Sequence, residues 1–488
     1  MRRTLLRFFA DIGSKLRRWN ISLNKHRAIF VLCAWLLYVL MVSIVAFYHE
    51  PWSDEAQAWL LARDSSVRDL LLIRMHYEGP VLWHLVLKIL TSLHLGYGSM
   101  TVLSVIIASM GIVAFFRWSP FPLLLTVLIP FTYFLFYQYA VIARCYVLLP
   151  LLLFSVMIAK RDAFQKPARF FLLLFLLMNV SIHGFLLSGS LFVLHLLLLA
   201  KNWSTLSQKN RRKHIAWGTV LSVLFLIVLR SLWPASDFIA PEISNNLLKG
   251  MGSIIVILSS IFVLASCILA RKIILKYSGV LFLIVLIFPQ LLLMLLVYSN
   301  AWHEGILWLI CLLASGEHEQ EYGNKSERNI IAKQTFYLTV FLISAVHIIW
   351  AVTASVHDLY GPYSGAKDAA VFIKNNVAED KTIVTVSYGG IGILPYFERN
   401  IFSNLHGGTP PSYFHWSVKS GMDISDEWML LHRPDFLLLN LKIPQQNSNL
   451  MPIDIEHYVP LKKIPGFLYW KMGIFEEDSY VVYERKNE

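Results

Sequence analysis

Charge is scarce in this chain. Only 15% of its 488 residues are Asp, Glu, Lys or Arg, against about 25% in soluble domains. With 56% hydrophobic residues and a mean hydropathy of +0.57, an ordinary soluble globular protein is excluded. Acids are scarcer than bases, 31 against 43, which leaves a net charge of +12. In a soluble domain that surplus would suit nucleic acid. Here the basic residues sit in short segments between apolar runs, so no nucleic-acid partner is expected. Cysteine is also sparse. Cys33, Cys145, Cys267 and Cys311 lie in or beside apolar runs, without metal-type spacing, and read as small packing residues. No internal repeat is obvious. Tyr388-Gly389-Gly390-Ile391-Gly392 follows a strand-like segment but is an incomplete dinucleotide pattern. The start lacks a short apolar core with a small-residue cleavage site, so the first apolar run reads as an anchor.

What the chain has is apolar runs near the ~20 residues that cross a bilayer. They cover Ile29–Phe47, Val81–Leu95, Met100–Phe116, Pro120–Tyr137, Tyr139–Ala159, a hairpin within Phe170–Ala200, Ile215–Trp233, Met251–Ala270, Tyr277–Tyr298, Gly305–Ala314 and Gln334–Val356. The basic segment 1–28, Lys160-Arg161 and the loop 201–214 carry the charge expected of the cytoplasmic side. That orientation puts the loop 49–79 and the C-terminal residues 357–488 outside. A plain count of about twelve runs returns the C-terminus to the wrong side. The conflict lies between Val81 and Tyr139, where one run does not cross or a crossing is broken around the prolines and Arg144. Eleven or thirteen spans are therefore expected.

Residues 357–488 change character and read as a small α/β domain. Ser364–Asn376 has a helical period, Gly389–Tyr396 and Ser425–Leu431 read as further helices, and Thr382–Val386, Asp435–Leu439 and Tyr480–Tyr483 as strands. Nothing in this domain reads as catalytic.

Four clusters carry polar chemistry beside the apolar runs, where ionisable groups are costly and default to function. The first is Pro51-Trp52-Ser53-Asp54-Glu55, directly after the first run, with Ser53 as a candidate helix cap. Neighbouring side chains point apart, so Asp54 and Glu55 cannot face one ligand in the same way. The second is Arg74-Met75-His76-Tyr77-Glu78-Gly79-Pro80, the third Ala143-Arg144-Cys145-Tyr146, and the fourth pairs His183 with Trp302-His303-Glu304-Gly305. Arg144 has the planar, permanently charged fork that suits phosphate.

The Asp-Glu pair after the first run, the Glu-Gly-Pro entry to the next, the Ala-Arg-x-Tyr pattern and the His before Gly305 together resemble the GT-C glycosyltransferases. The similarity is to the protein-mannosyltransferase-like and aminoarabinose-transferase-like members, which take sugars from polyprenyl-phosphate carriers. The resemblance implies a polytopic α-helical membrane protein of the GT-C fold with a small extracytoplasmic α/β domain. It implies transfer of a sugar, on the external face of a plasma (inner) membrane, from a polyprenyl-phosphate donor to a lipid, glycan or protein acceptor. Asp54 would be the base. Glu55 would orient the acceptor or hold a divalent ion. Glu78, His76, Arg144, Tyr146, His183 and His303 would bind substrate, with Arg144 near the carrier phosphate. No organic cofactor is expected, and a divalent cation stays open. The alternative is a transporter or flippase of lipid-linked glycans, which inverted repeats and charges at mid-span would favour.

Overall fold

The computed structural model describes residues 26–238, 278–296, 299–322, 330–386, 388–417, 428, 431–442 and 457–486. The expected span Met251–Ala270, Cys267, nearly all of the basic segment 1–28 and most of the expected helix Ser425–Leu431 lie outside them. Twelve longer helices organise the described residues: α1 Arg27–Tyr48, α2 Ser53–Asp64, α3 Leu82–Ser92, α4 Ser99–Trp118, α5 Leu148–Lys160, α6 Pro167–Met178, α7 Ile182–Lys201, α8 Gln208–Ser231, α9 Ser278–Leu296, α10 Glu304–Tyr322, α11 Ile330–Tyr360 and α12 Ala366–Asn376. Five stretches, α1, α4, α7, α8 and Gln334–Tyr360 of α11, are long and apolar enough to cross a membrane. On α1 the outward Ile29, Leu32, Leu36 and Leu40 are as apolar as the buried Tyr38, Val42 and Val45. A helix apolar all round suits lipid on its outer face.

The two runs behind the parity conflict both depart from a plain crossing. α3, from the run Val81–Leu95, lies against α2: Lys88 Nζ donates to the Arg63 carbonyl at 3.2 Å and Thr91 Oγ1 to that of Ala62 at 3.2 Å. The chain then turns back at Tyr97, whose ring meets Trp59 of α2 at 5.7 Å. Both ends of α3 thus stay at the Asp54 end of the bundle.

The second departure is the segment 119–143. Pro120, Pro122 and Pro130 break it into a short helix Leu123–Leu128, a 3₁₀ turn Ile129–Phe131, a π turn Phe134–Gln138 and irregular chain. Freed backbone groups inside an apolar bundle need partners. Tyr38 Oη donates to the Leu135 carbonyl at 2.8 Å, Ser104 Oγ to that of Ala140 at 2.9 Å, and the Glu55 carboxylate accepts the Ala143 N–H at 2.7 Å. Gly305, at the start of α10, admits this segment: a Cβ there would lie 2.5 Å from Tyr139 Oη. The broken segment therefore delivers Arg144 to the Asp54 end, beside α2.

Among the described residues the C-terminal unit has a four-stranded sheet of order β1-β2-β6-β3, with β1 (Ile383–Thr385) parallel to β2 (Phe436–Asn440), and β6 (Tyr480–Arg485) antiparallel to both β2 and β3 (Tyr458–Ile464). A hairpin, β4 (Phe467–Trp470) and β5 (Gly473–Glu477), extends from it along α11. There Thr353 Oγ1 donates to the Lys471 carbonyl at 2.6 Å. α12, β1, β2 and β6 match the sequence expectation, while Tyr388–Tyr396 is a 3₁₀ helix.

Candidate functional site

The site is built where α2 is clamped between the bundle and the C-terminal unit. Within the loop 49–79, nine of the twelve α2 residues are buried. The polar side chains of α2 hold the C-terminal unit. Gln57 exchanges two hydrogen bonds with the Phe414 backbone, at 2.7 and 2.9 Å. Arg63 donates to the Phe397 carbonyl at 2.9 Å, and Asp64 accepts the Ser412 N–H at 2.7 Å. Trp52, not Ser53, occupies the cap position, and Glu55 in the third helical position accepts the Trp52 N–H at 3.3 Å.

Asp54 points into the seam. Its Oδ2 lies 3.0 Å from Arg144 Nη1, both side chains about a fifth exposed. Its Oδ1 accepts a hydrogen bond from Tyr388 Oη at 3.2 Å. The Arg144 guanidinium carbon stands 4.9 Å from the Trp302 ring centre, 5.5 Å from Tyr146 and 5.8 Å from Trp52. Three aromatic faces thus hold the cation by its charge. Lys442, from the C-terminal unit, lies 3.6 Å from the centre of the Trp52 ring and brings a second cation, paired with Glu476 at 3.5 Å.

From Arg144 a chain of polar groups runs inward. The Asn300 N–H donates to His303 Nδ1 at 3.1 Å, so a neutral His303 carries its proton on Nε2 and directs it to Tyr146 Oη at 3.0 Å. His183 lies with its ring centre 4.3 Å from that of His303. It is buried and paired through Nδ1 with Gln290 Oε1 at 2.7 Å. Arg144, Tyr146, His303 and His183, far apart in sequence, are contiguous here.

Glu55 faces the other way and has no exposed surface. Its Oε1 takes the Ala143 N–H and its Oε2 meets His49 Nε2 at 3.1 Å; His49 Nδ1 in turn meets Asp358 Oδ2 at 3.0 Å. Burial alone would lower the His49 pKa, but Asp358 and Glu55 outweigh it and raise it to about 10. The imidazolium lies between the two carboxylates and separates them, so they do not converge on a metal ion. Among the described residues no cluster of three His, Cys, Asp or Glu could hold one. The geometry fits Glu55 to positioning: it fixes the backbone next to Arg144 against α2.

Glu78 lies near Asp54 and accepts from Gln57 Nε2 at 2.8 Å. Burial raises its pKa to about 7 despite that hydrogen bond and the nearby Arg74. A carboxyl whose folded pKa exceeds its unfolded value of 4.5 favours the folded state in its protonated form. Stability should therefore fall as pH rises from about 4.5 to about 7. Unfolding midpoints in detergent across that window should show the fall in the wild type and less of it in Glu78→Gln. Equal slopes would remove Glu78 from the account. His76 is a tether: its Nδ1 donates to the Trp233 carbonyl at 2.8 Å and joins the loop to the end of α8.

Sequence reasoning missed Tyr388, Lys442, His49 and Asp358. Asp358 had a signal, as a lone acid at the end of an apolar run. Tyr388 and Lys442 had none, because only the fold brings the C-terminal unit over Asp54. That unit, which looked devoid of chemistry, contributes directly to the seam. The glycines after Tyr388 serve packing: a Cβ at Gly389 would collide with Asn440, and one at Gly390 with Thr385. In comparisons with known proteins, no family model matches this chain and no curated protein matches it.

Proposed function

We propose that the protein is a membrane glycosyltransferase of the GT-C type, acting on a polyprenyl-phosphate sugar at the end of the bundle that carries Asp54. The observation that supports this best is the Asp54–Arg144 pair, a carboxylate 3.0 Å from a guanidinium held by three aromatic rings. The bundle at whose end it sits has five stretches long and apolar enough to cross a membrane. In this reading the carrier phosphate binds the Arg144 fork, with Lys442 as a second cation. Two anions then compete for one guanidinium, and the donor phosphate releases Asp54 from its partner. The freed carboxylate takes the proton of an acceptor hydroxyl or amine. The acceptor's lone pair forms the new bond to the anomeric carbon, and the carbon–oxygen bond to phosphate breaks. Polyprenyl phosphate leaves with that electron pair, stabilised by Arg144. The base is thus fully available only after the donor binds.

The test is purified protein in nanodiscs given a panel of polyprenyl-phosphate sugars and an envelope extract as acceptor. Release of free polyprenyl phosphate is followed. Sugar-dependent release is expected, with Arg144→Gln raising the donor KM about tenfold or more, as loss of a charge-assisted contact demands. No release with any donor, together with transbilayer movement of a fluorescent lipid-linked glycan, would replace the transferase by a flippase. Tyr388→Phe should lower kcat about tenfold by removing one hydrogen bond to Asp54. Unchanged kcat would make Tyr388 a packing residue.

A further inference from the structure

A groove of about 1140 Å³ runs along the outside of the bundle, between α1, α4 and α5. Val39 and Ser43 of α1, Val102, Val105 and Ile106 of α4 and Leu151 of α5 line it. α4 has twenty residues, a length of about 30 Å, which is the thickness of a bilayer's hydrocarbon core. The groove follows α4 from Gly98 at its start to Arg117 at its end. Along this face Val102, Ile106, Met110 and Val113 are each roughly half exposed. In a bilayer such an apolar channel is filled by hydrocarbon chains.

Its charge is lopsided. At the end farthest from Asp54 the groove is lined by Arg117 and Arg169. Both are exposed, and neither makes a hydrogen bond or ion pair among the described residues. Among the described residues, no acid lines the groove. At the near end, Lys367 is accompanied by Glu50 and Asp368, whose charges act on one another and offset it.

We propose that this groove holds a diacyl anionic phospholipid from the leaflet opposite the Asp54 site, its phosphate between Arg117 and Arg169 and its chains along α4. The charge decides the occupant. A sugar donor would present its phosphate to Arg144, at the other end of the helices, so its headgroup does not account for the two arginines. A zwitterionic lipid would fill the apolar channel but gain less from them. The inference stands whether or not the protein transfers sugar.

The experiment is native mass spectrometry of the full chain, delipidated in detergent and titrated separately with dioleoyl phosphatidylglycerol, dioleoyl phosphatidylcholine and undecaprenyl phosphate. The wild type should retain one phosphatidylglycerol at least about tenfold more tightly than phosphatidylcholine. Arg117→Gln/Arg169→Gln should lose that preference, and these exposed side chains leave the fold untouched. Val113→Trp, which narrows the channel one helical turn from Arg117, should weaken retention of both diacyl lipids. Equal retention of the two lipids by the wild type would overturn the proposal. So would phosphatidylglycerol retention that survives the double arginine change. Retention of undecaprenyl phosphate alone would also overturn it and give the groove to a carrier tail.

Discussion

Asp54→Asn should lower kcat by about 10²- to 10⁴-fold, the range that a positioned general base supplies, while the donor KM stays level or falls. The split follows from the seam. Asparagine keeps the shape and still accepts from Tyr388, but it cannot take the acceptor's proton. In the proposed mechanism it also withdraws the anion that competes for Arg144, so the donor phosphate meets a less occupied guanidinium. An interaction used only in the transition state moves kcat and leaves binding alone. Asp54 and Arg144 are each about a fifth exposed and Arg144 Nη1 itself is buried, so water screens their ion pair only in part. Asparagine keeps an acceptor for the guanidinium, so the unfolding midpoint should fall only modestly. Initial rates over a range of donor concentrations decide the matter. A variant with wild-type kcat would remove Asp54 as the base, and one whose only defect is a raised KM would make it a binding residue.

Glu55→Ala should act in the opposite way, costing about 3–5 kcal/mol of stability, the usual effect of breaking a buried charge pair. Glu55 is fully buried, and its two oxygens serve His49, the Trp52 N–H and the Ala143 N–H. Alanine strands the two backbone donors and leaves the His49 imidazolium with Asp358 alone. Glu55→Gln, which keeps an acceptor but loses the charge, should fall between. Thermal unfolding in detergent, read by loss of monomer on size exclusion, gives the order wild type, Gln, Ala. A Glu55→Ala protein as stable as the wild type but without turnover would return Glu55 to the substrate side of the seam. In the proposed reading, the neighbours Asp54 and Glu55 thus separate a chemical role from an architectural one within one helical turn.

Much of the helical layout is legible in the sequence, because hydropathy over twenty residues records contact with lipid. Ile29–Phe47 became α1 within a residue or two at each end. Pro120, Pro122 and Pro130 marked the broken segment, since proline removes backbone donors wherever it stands. That Val81–Leu95 stays at one end was not legible: an apolar helix under a second unit reads like one in lipid. At the site, the divergence of Asp54 and Glu55 follows from the helical turn alone. Arg144 was visible as a charge that an apolar run must justify. Which of the two acids it would meet was not visible, because the answer depends on how Ala143 docks on Glu55. Tyr388 comes from more than three hundred residues away, and a tyrosine in a glycine-rich loop carries no local sign of its partner.

The hydrogen bond from Tyr480 Oη to the Gly389 carbonyl, at 2.7 Å, ties the loop that carries Tyr388 to the last strand of the sheet. Asp478, just before that strand, adds bonds to Ser364 and Asn440 at 2.6 and 2.9 Å. During synthesis, then, α1 and α2 emerge well before β6, and the roof over Asp54 waits for that strand. A nascent chain arrested before Asp478 has made every described helix and still lacks a finished seam. In the proposed function, competence would wait until β6 had been made and paired, so a chain with these helices already formed could not act before its sheet had closed.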